Sequence, residues 1–424
     1  FPIQKKKKKG YFPQLKYPSL RDGGLRDPVQ WLEGKAMDDG AEGLWRIRNG
    51  LYDFTDFMQK HPGGEEWLEL SKGTDITEAF ECHHLNPVVE KVKEKYYIRD
   101  AKTPRNSPFT FEEDGFYKTL KRSVIEELKK IPPTEKLWTN LIIDGLFLTC
   151  LVASALSCWA TDYWVVMISY LVASLALAWT TVAAHNYIHM RTNWRMYLFN
   201  FSLWSYRVSH ALSHHVYPNT LIDLEISGFE PLVSWIPRKK PFMIRLTENF
   251  ASIVILFIVL ILIVIRHYRW HDGIGLLLPV WMYLASGSTF YHAFVMWLWI
   301  NTTASSIFFM IGASAAHHHP KIFKDGDQVK ETTIDWGMHE LEAVMDRNDI
   351  NGNFFKVMTF FGDHALHHLF PTLDHALLRH LYPVFLKHCE EFRANYRLTS
   401  QFDFFIAQLK MAVKEDPTLL EERQ

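Results

Sequence analysis

The sequence predicts a fold in two parts: a small α+β domain, then an all-α membrane domain with about four transmembrane helices and a cytosolic, histidine-rich cap. Residues 31–100 are soluble in character, apolar runs begin at residue 137, and many of the 21 histidines cluster beside those runs. The formal net charge of −1 over 424 residues gives no reason to expect a nucleic-acid partner.

Shifts in composition divide the chain into five segments. Asn49-Gly50 between two alternating stretches predicts a β-hairpin in the first domain. Residues 116–131 carry apolar side chains at helical spacing and a basic opposite face, which predicts an amphipathic helix on the membrane surface. The segments are a basic disordered arm (1–30), the small α+β domain (31–100), a linker with the amphipathic helix (101–136), the membrane domain (137–385) and a cytosolic C-terminal tail (386–424).

The apolar runs predict how the chain crosses the membrane. A span needs about 20 apolar residues, and Leu137–Ala160 and Tyr163–Ala184 are each long enough. Phe250–Ile265 is predicted to be a third span. Lysine and arginine before the first and after the second place both the N-terminal domain and residues 185–248 in the cytosol. Residues 250–316 must then cross an even number of times, so Ile274–Tyr291 is expected to be partly interfacial or re-entrant.

Four histidine clusters lie at the predicted cytosolic ends of these spans. Spacings of three and four residues predict that each cluster occupies one face of a helix, and the topology lets all of them converge. So many imidazoles exceed the needs of one metal ion and fit two, with iron the natural choice for oxygen chemistry. The clusters are "HNYIH" (185–189), "HALSHH" (210–215), "AAHHH" (315–319) and "HALHH" (364–368). Isolated histidines, among them His339, His375 and His388, are interpreted as ordinary polar groups.

These motifs resemble the membrane fatty acyl desaturase and hydroxylase family, whose three histidine boxes hold a di-iron centre. The resemblance covers roughly residues 137–385 and includes "HHVYPNTLIDLE" (214–225) and "GDHALHHLFP" (362–371). "SAAH" (314–317) is similar to the site of an extra histidine in acyl-CoA desaturases, although Ala313 stands where those enzymes have asparagine. The resemblance implies nine iron ligands: His185, His189, His210, His214, His215, His317, His364, His367 and His368. His318 and His319 are less favoured.

Three acidic residues flank the boxes. Metal-bound imidazoles usually need a carboxylate or carbonyl behind them, which would fix their tautomer. Asp223, Glu225 and Asp363 could serve in this way, and a role as caps or surface charges is an equal alternative.

The N-terminal domain is similar to cytochrome b5, through "LWRIRNGLYDFTDFMQKHPGG" (44–64) and "GTDITEAFECHHLNP" (73–87). The resemblance implies haem b with His61 and His84 as axial ligands, His83 being the less favoured partner. Bis-histidine ligation leaves no open iron position, so such a haem transfers electrons. Phe54, Phe57, Leu70 and Phe80 are expected to wall the pocket.

Together the resemblances imply a membrane-bound fatty acyl desaturase that uses O2 and electrons from its own haem. An NAD(P)H-dependent cytochrome b5 reductase would reduce the haem, the substrate would be an acyl-CoA or a phospholipid, and the membrane would be the endoplasmic reticulum. "DWGMHELEAVMDRND" (335–349) most resembles a desaturase-like group, the insect cytochrome b5-related proteins, whose name does not define a reaction. The alternatives are a lipid hydroxylase, a membrane-tethered haem electron carrier with an inactive desaturase domain, and a structural membrane protein.

Overall fold

The computed structural model describes residues 12, 15–21, 27–198, 202–228, 230, 235–240, 269–329 and 331–423. The predicted span Phe250–Ile265 and most of the predicted basic arm lie outside these residues.

A three-stranded antiparallel sheet and four short helices form the N-terminal α+β unit. The predicted hairpin is confirmed, with Trp45 opposite Tyr52 and Ile47 opposite Gly50. Arg48 takes the left-handed conformation at the turn, with φ 56°. The sheet has the order β1-β2-β3. The elements are α1 (Pro28–Asp38), β1 (Trp45–Ile47), β2 (Gly50–Tyr52), a 3₁₀ segment (Thr55–Lys60), α2 (Glu65–Ser71), α3 (Thr77–His83), α4 (Val88–Lys93), a second 3₁₀ segment (Glu94–Tyr96) and β3 (Tyr97–Asp100).

Aromatic side chains fill the core of this unit, and one predicted member is absent from it. Phe54 and Phe80 are buried there, and Leu68 packs with them. Leu70 instead packs against Val208 of the membrane domain, so its assignment to the haem pocket was wrong. Two residues along a helix are separated by about 200°, which turns Leu68 and Leu70 to opposite faces.

The linker contains the predicted amphipathic helix, α5 (Phe116–Leu128). Its apolar residues Phe116, Leu120 and Val124 are each no more than 1% exposed, because they lie in the main apolar core of the cap. The expected position on the membrane surface was therefore wrong, since protein already covers the apolar face.

Three helices in the described part of the chain are long and apolar enough to cross a membrane, and no membrane is included. They are α6 (Lys136–Trp159), α7 (Tyr163–Ala184) and, later in the chain, α10 (Phe290–Ala313). A shorter apolar helical stretch, Gly273–Ser286, ends at Gly287, where φ is 66°. This stretch begins within a 3₁₀ segment (Trp270–Leu277) and continues through α9 (Leu278–Ser286).

Exposed aromatic residues mark the turn between the first two spans. Trp159, Tyr163 and Trp164 are each more than 60% exposed in the protein alone. Aromatic rings are enriched at membrane interfaces, so this turn has the composition expected of an interface.

The remaining elements form the cap over the other end of the spans. They include 3₁₀ segments (Pro133–Glu135, His185–Tyr187, Trp194–Leu198, Arg379–Leu381, Leu420–Arg423) and a π-helix (Arg207–His214). Two short parallel strand pairs join β4 (Phe109–Thr110) to β5 (Ile334–Asp335) and β6 (Asp346–Arg347) to β7 (Leu398–Thr399). The helices are α8 (Leu203–Tyr206), α11 (Trp336–Glu342), α12 (Phe354–Phe360), α13 (His364–Leu369), α14 (His375–Leu378), α15 (Tyr382–Glu391) and α16 (Gln401–Ala412).

The N-terminal unit packs against the outer face of the π-helix. Arg207, 2% exposed, forms an ion pair with Glu66, and its guanidinium lies 4.9 Å from the centre of the Trp67 ring. The Trp31 indole donates to the Ile222 carbonyl at 2.8 Å. Apolar and polar contacts therefore fix the position of this unit on the cap.

Candidate metal and haem sites

The structure brings all nine predicted metal-ligating histidines together in two buried groups. Within each group, one ligand atom from every residue lies within 4.8 Å of the others. The first group, the five-histidine group, contains His185, His189, His210, His215 and His367. The second, the four-histidine group, contains His214, His317, His364 and His368.

The π-helix divides the second histidine box between these groups. The His215 backbone N–H donates to the His210 carbonyl at 2.9 Å, which is the i→i+5 bond of a π turn. This wider turn brings His210 Nε2 to 3.0 Å from His215 Nε2. His214 points into the four-histidine group, so the expectation that this box occupies one helical face was wrong.

The third box is also divided, and the first is not. His364 and His368, four residues apart, belong to the four-histidine group, whereas His367 faces the five-histidine group. In α13 this division separates the successive residues His367 and His368, which lie about 100° apart around the helix axis, so their rings point in different directions. His185 and His189 both enter the five-histidine group, directly after α7.

Several ring nitrogens of the two groups lack ordinary partners. His189 and His367 have no hydrogen bond at either ring nitrogen, although both are buried. Facing Nε2 atoms of His317 and His364 lie 2.9 Å apart. Burial lowers the pKa of His189 and His367 well below its usual range, so both rings are neutral. Buried unpaired nitrogens are costly, whereas neutral imidazoles are the form that binds metal, so these residues fit a metal pair.

Acceptors lie behind several of these rings and leave Nε2 facing inward. The Nδ1 atoms of His214 and His210 lie 2.9 Å from the carboxylates of Asp223 and Glu225, respectively. Two of the three flanking acids thus lie where a metal-bound imidazole needs an acceptor.

Two further acceptors were missed by the sequence reasoning. His368 Nδ1 lies 2.9 Å from Glu340 Oε2, and both residues are fully buried. His317 Nδ1 lies 3.0 Å from the Ala343 carbonyl. No spacing rule links a carboxylate on α11 to a histidine on α13, and a backbone carbonyl leaves no mark in the sequence.

Asp363 does not support any of the nine histidines through its side chain. Its carboxylate accepts from the Gly352 N–H at 2.9 Å and the Tyr382 hydroxyl at 3.0 Å. The residue has φ 51° at the start of α13, which turns its side chain away from the metal groups. Its assignment as a supporting acid was wrong.

The histidines given an ordinary role fall into two kinds. His339 Nε2 lies 3.0 Å from the Pro218 carbonyl, as expected for a satisfied core histidine. His375 differs, because its ring centre lies 4.7 Å from that of His367 and its buried Nδ1 has no partner. His318 stacks on Trp235 and belongs to neither metal group.

A second pair of histidines faces each other in the N-terminal unit. The ring centres of His61 and His84 lie 6.0 Å apart. His61 Nδ1 lies 2.8 Å from the Gly64 carbonyl and His84 Nδ1 lies 2.9 Å from the Phe80 carbonyl, which leaves Nε2 of each ring for iron. A Cβ atom on Gly63 would lie 2.9 Å from His61 Cε1, so the HPGG turn leaves no room for a side chain there.

Comparison with known families agrees with this division of the chain. Residues 31–102 match the family described as Cytochrome b5-like Heme/Steroid binding domain, and residues 161–400 match Fatty acid desaturase. The chain belongs to the fatty acid desaturase family and carries a cytochrome b5 domain ahead of the desaturase domain. The cytochrome b5 domain implies haem, and the two domains together imply a lipid substrate and a membrane environment.

Individual relatives extend the match to nearly the whole chain. Cytochrome b5-related protein from Drosophila melanogaster is 43% identical, with 98% of each chain covered. Probable Delta(5) fatty acid desaturase C from Dictyostelium discoideum is 23% identical over 88% of this chain and 91% of its own. Acyl-lipid (8-3)-desaturase from Mortierella alpina is 24% identical over 88% and 93%. No solved structure matches this chain.

Proposed function

We propose that this protein is a di-iron fatty acyl desaturase that takes O2 and receives electrons through its own cytochrome b5 domain. The observation that carries the proposal is the convergence of nine buried histidines into two adjacent groups at one end of the candidate membrane helices. Adjacent groups of five and four imidazoles suit two metal ions, and an imidazole-rich site suits iron.

The nine histidines would hold the two irons, and this metal pair would supply the oxidising power that removes hydrogen from an acyl chain. The chain itself fixes the geometry. Asp223, Glu225 and Glu340 hold the rings of His214, His210 and His368 so that Nε2 faces inward. Burial of both groups keeps bulk water away from the reacting centre.

The haem would be held by His61 and His84 and would carry electrons singly. Desaturation takes a pair of electrons together with dioxygen, so the haem must be reduced repeatedly during each turnover. An NAD(P)H-dependent cytochrome b5 reductase is the proposed donor. Fusion to the desaturase domain raises the effective concentration of the haem at the metal pair.

The proposed membrane is the endoplasmic reticulum, with the haem domain and the metal groups in the cytosol. Support comes from the position of the groups directly after α7 and α10, which places them at one end of both helices. The substrate would be a fatty acyl lipid, either an acyl-CoA or a phospholipid, with its chain entering from the membrane.

The test begins with cofactor content. The full chain, purified in detergent after expression with iron, should contain about one haem and about two non-haem irons per polypeptide. His214→Ala and His367→Ala should lose non-haem iron and keep haem. His380→Ala serves as a matched control, because this exposed histidine lies beside Glu135, outside both groups. Wild-type protein with haem and no other metal would overturn the di-iron proposal and leave a membrane-bound electron carrier.

Lipid analysis then identifies the reaction. Cells that express the wild type, and not His214→Ala, should accumulate a fatty acid with a new double bond. An added hydroxyl group instead would make the protein a hydroxylase, which the same metal pair could support.

A further inference from the structure

The haem domain meets the metal groups through one histidine that neither site uses as a ligand. His83 follows Cys82 at the end of α3 and directly precedes the proposed haem ligand His84. Its ring centre lies 5.9 Å from that of His189 in the five-histidine group. Among the ring contacts of the described residues, this one joins the cytochrome b5 domain to a predicted metal ligand.

The two neighbouring histidines face opposite ways. The His84 ring lies opposite His61, whereas the His83 ring packs against Trp67, at 5.8 Å between ring centres, and against His189. Two successive residues therefore place one ring at the haem position and the other ring against the five-histidine group. His83 is consequently poorly placed to ligate the haem, and it is not a member of either metal group.

Packing alone does not explain a histidine at this position. His83 Nδ1 lies 2.9 Å from the Ala79 carbonyl and 3.1 Å from Cys82 Sγ, which fixes the ring. Its Nε2 is buried and has no hydrogen-bond partner. A buried polar atom without a partner costs free energy, and an apolar ring would fill the same space without that cost.

Contacts on both sides hold His83 against the metal groups. The Thr372 hydroxyl, which follows the third box, donates to the His83 carbonyl at 3.2 Å. Arg207 of the π-helix packs over Trp67 and forms an ion pair with Glu66, so α2, which lies beside His83, is held against the π-helix. These contacts hold the haem domain against the five-histidine group.

We propose that His83 is the electron-transfer residue between the haem and the metal pair, acting through its ring contact with His189. This inference rests on the proposed di-iron function. In each transfer one electron leaves the haem iron, which is oxidised, and enters the metal pair, which is reduced. No bond forms or breaks at His83 and no proton moves, because the residue shortens the through-space gap and is not itself consumed.

The test compares haem reoxidation in full-length wild type, His83→Ala, His83→Phe and the control His380→Ala. Each protein is loaded with haem and iron, reduced, and mixed with O2 and acyl substrate in a stopped-flow spectrometer. His83→Ala should retain haem and iron and should slow reoxidation by about tenfold or more, a barrier change of ~1.4 kcal/mol. His83→Phe, which keeps a ring in the contact, should recover much of the rate, and His380→Ala should match wild type.

A chemical bypass separates electron transfer from structural damage. Dithionite with a small viologen mediator delivers electrons to the metal pair directly, so His83→Ala should then form single-turnover product as wild type does. An unchanged reoxidation rate with full iron content would overturn the role of His83 and leave the proposed function intact. Loss of haem or iron from His83→Ala would also overturn it, since the residue would then be a ligand. Absence of iron from the wild type would overturn the proposed function itself.

Discussion

Glu340 provides a sharp test of the metal site, because no motif points to it. It lies on α11, is fully buried, and places Oε2 2.9 Å from His368 Nδ1. Its other oxygen has no hydrogen-bond partner, so the histidine is its main polar contact. Replacing it with alanine removes the acceptor. The His368 ring is then free to rotate, and its tautomer is no longer fixed.

The expected cost follows from what such acceptors contribute to metal sites. Mutation of a partner behind a ligating histidine typically lowers metal affinity by ~10–100-fold, or about 1.4–2.7 kcal/mol. Glu340→Ala should therefore weaken the binding of one iron by that factor, measured by competition with a coloured chelator. Glu340→Gln keeps an oxygen acceptor and should lose less. The haem spectrum should not change in either variant.

Asp363 supplies the matched control. It is adjacent in sequence to His364, yet its carboxylate contacts Gly352 and Tyr382. Asp363→Asn should leave iron affinity close to that of wild type. If Glu340→Ala bound both irons normally, or if Asp363→Asn proved the more damaging for iron, the assignment of acceptors from the structure would be refuted.

Three further predictions concern the rest of the chain. His84→Ala should lose the visible spectrum of a bis-histidine haem, and retention of that spectrum would mean that another residue ligates the iron. Arg207→Ala should lower the free energy of unfolding by about 1–3 kcal/mol, because Glu66 is partly exposed and water can replace part of the ion pair. Protease cleavage in the linker 101–136 should also increase. Cleavage at the wild-type rate would contradict the docking of the haem domain on the cap. Burial raises the pKa of Asp335 to about 6 from 3.8, so folding takes up a proton between these values and stability falls as pH rises through that range, by up to about 3 kcal/mol. Asp335→Asn should unfold with a weaker pH dependence between pH 4 and 6, and an identical profile would argue against the raised pKa.

The residues of the candidate metal site could be predicted from the sequence because histidine is costly in a buried position. Clusters such as "HNYIH" directly after an apolar run combine two improbable features. The resemblance to the desaturase family then singled out nine histidines of these clusters, and all nine converge. Local spacing also predicted the hairpin at Asn49-Gly50 and the helix at Phe116–Leu128. These features are decided within a few residues of chain, which is the range over which turn chemistry and helical periodicity operate.

What the sequence could not predict depends on contacts between distant segments. The amphipathic face of α5 has the same pattern whether lipid or protein covers it, and its burial by the C-terminal region became visible only in the structure. The assignment of Leu70 to the haem pocket was wrong for the same reason, since its neighbour Val208 comes from another part of the chain. The Asp363 assignment failed because a positive φ reverses the direction of a side chain without any change in its sequence position.

The π-helix Arg207–His214 contacts both the haem domain and the two histidine groups. Its outer residues, Arg207 and Val208, receive the haem domain, while His210 and His214 on its inner side, with His215 just after it, enter the two metal groups. A π turn is rare and has less favourable backbone geometry than an α turn, so it depends on contacts from both sides. Docking of the haem domain and metal binding should therefore support each other. The same turn that divides His210, His214 and His215 between the two groups also sets the position from which His83 reaches His189.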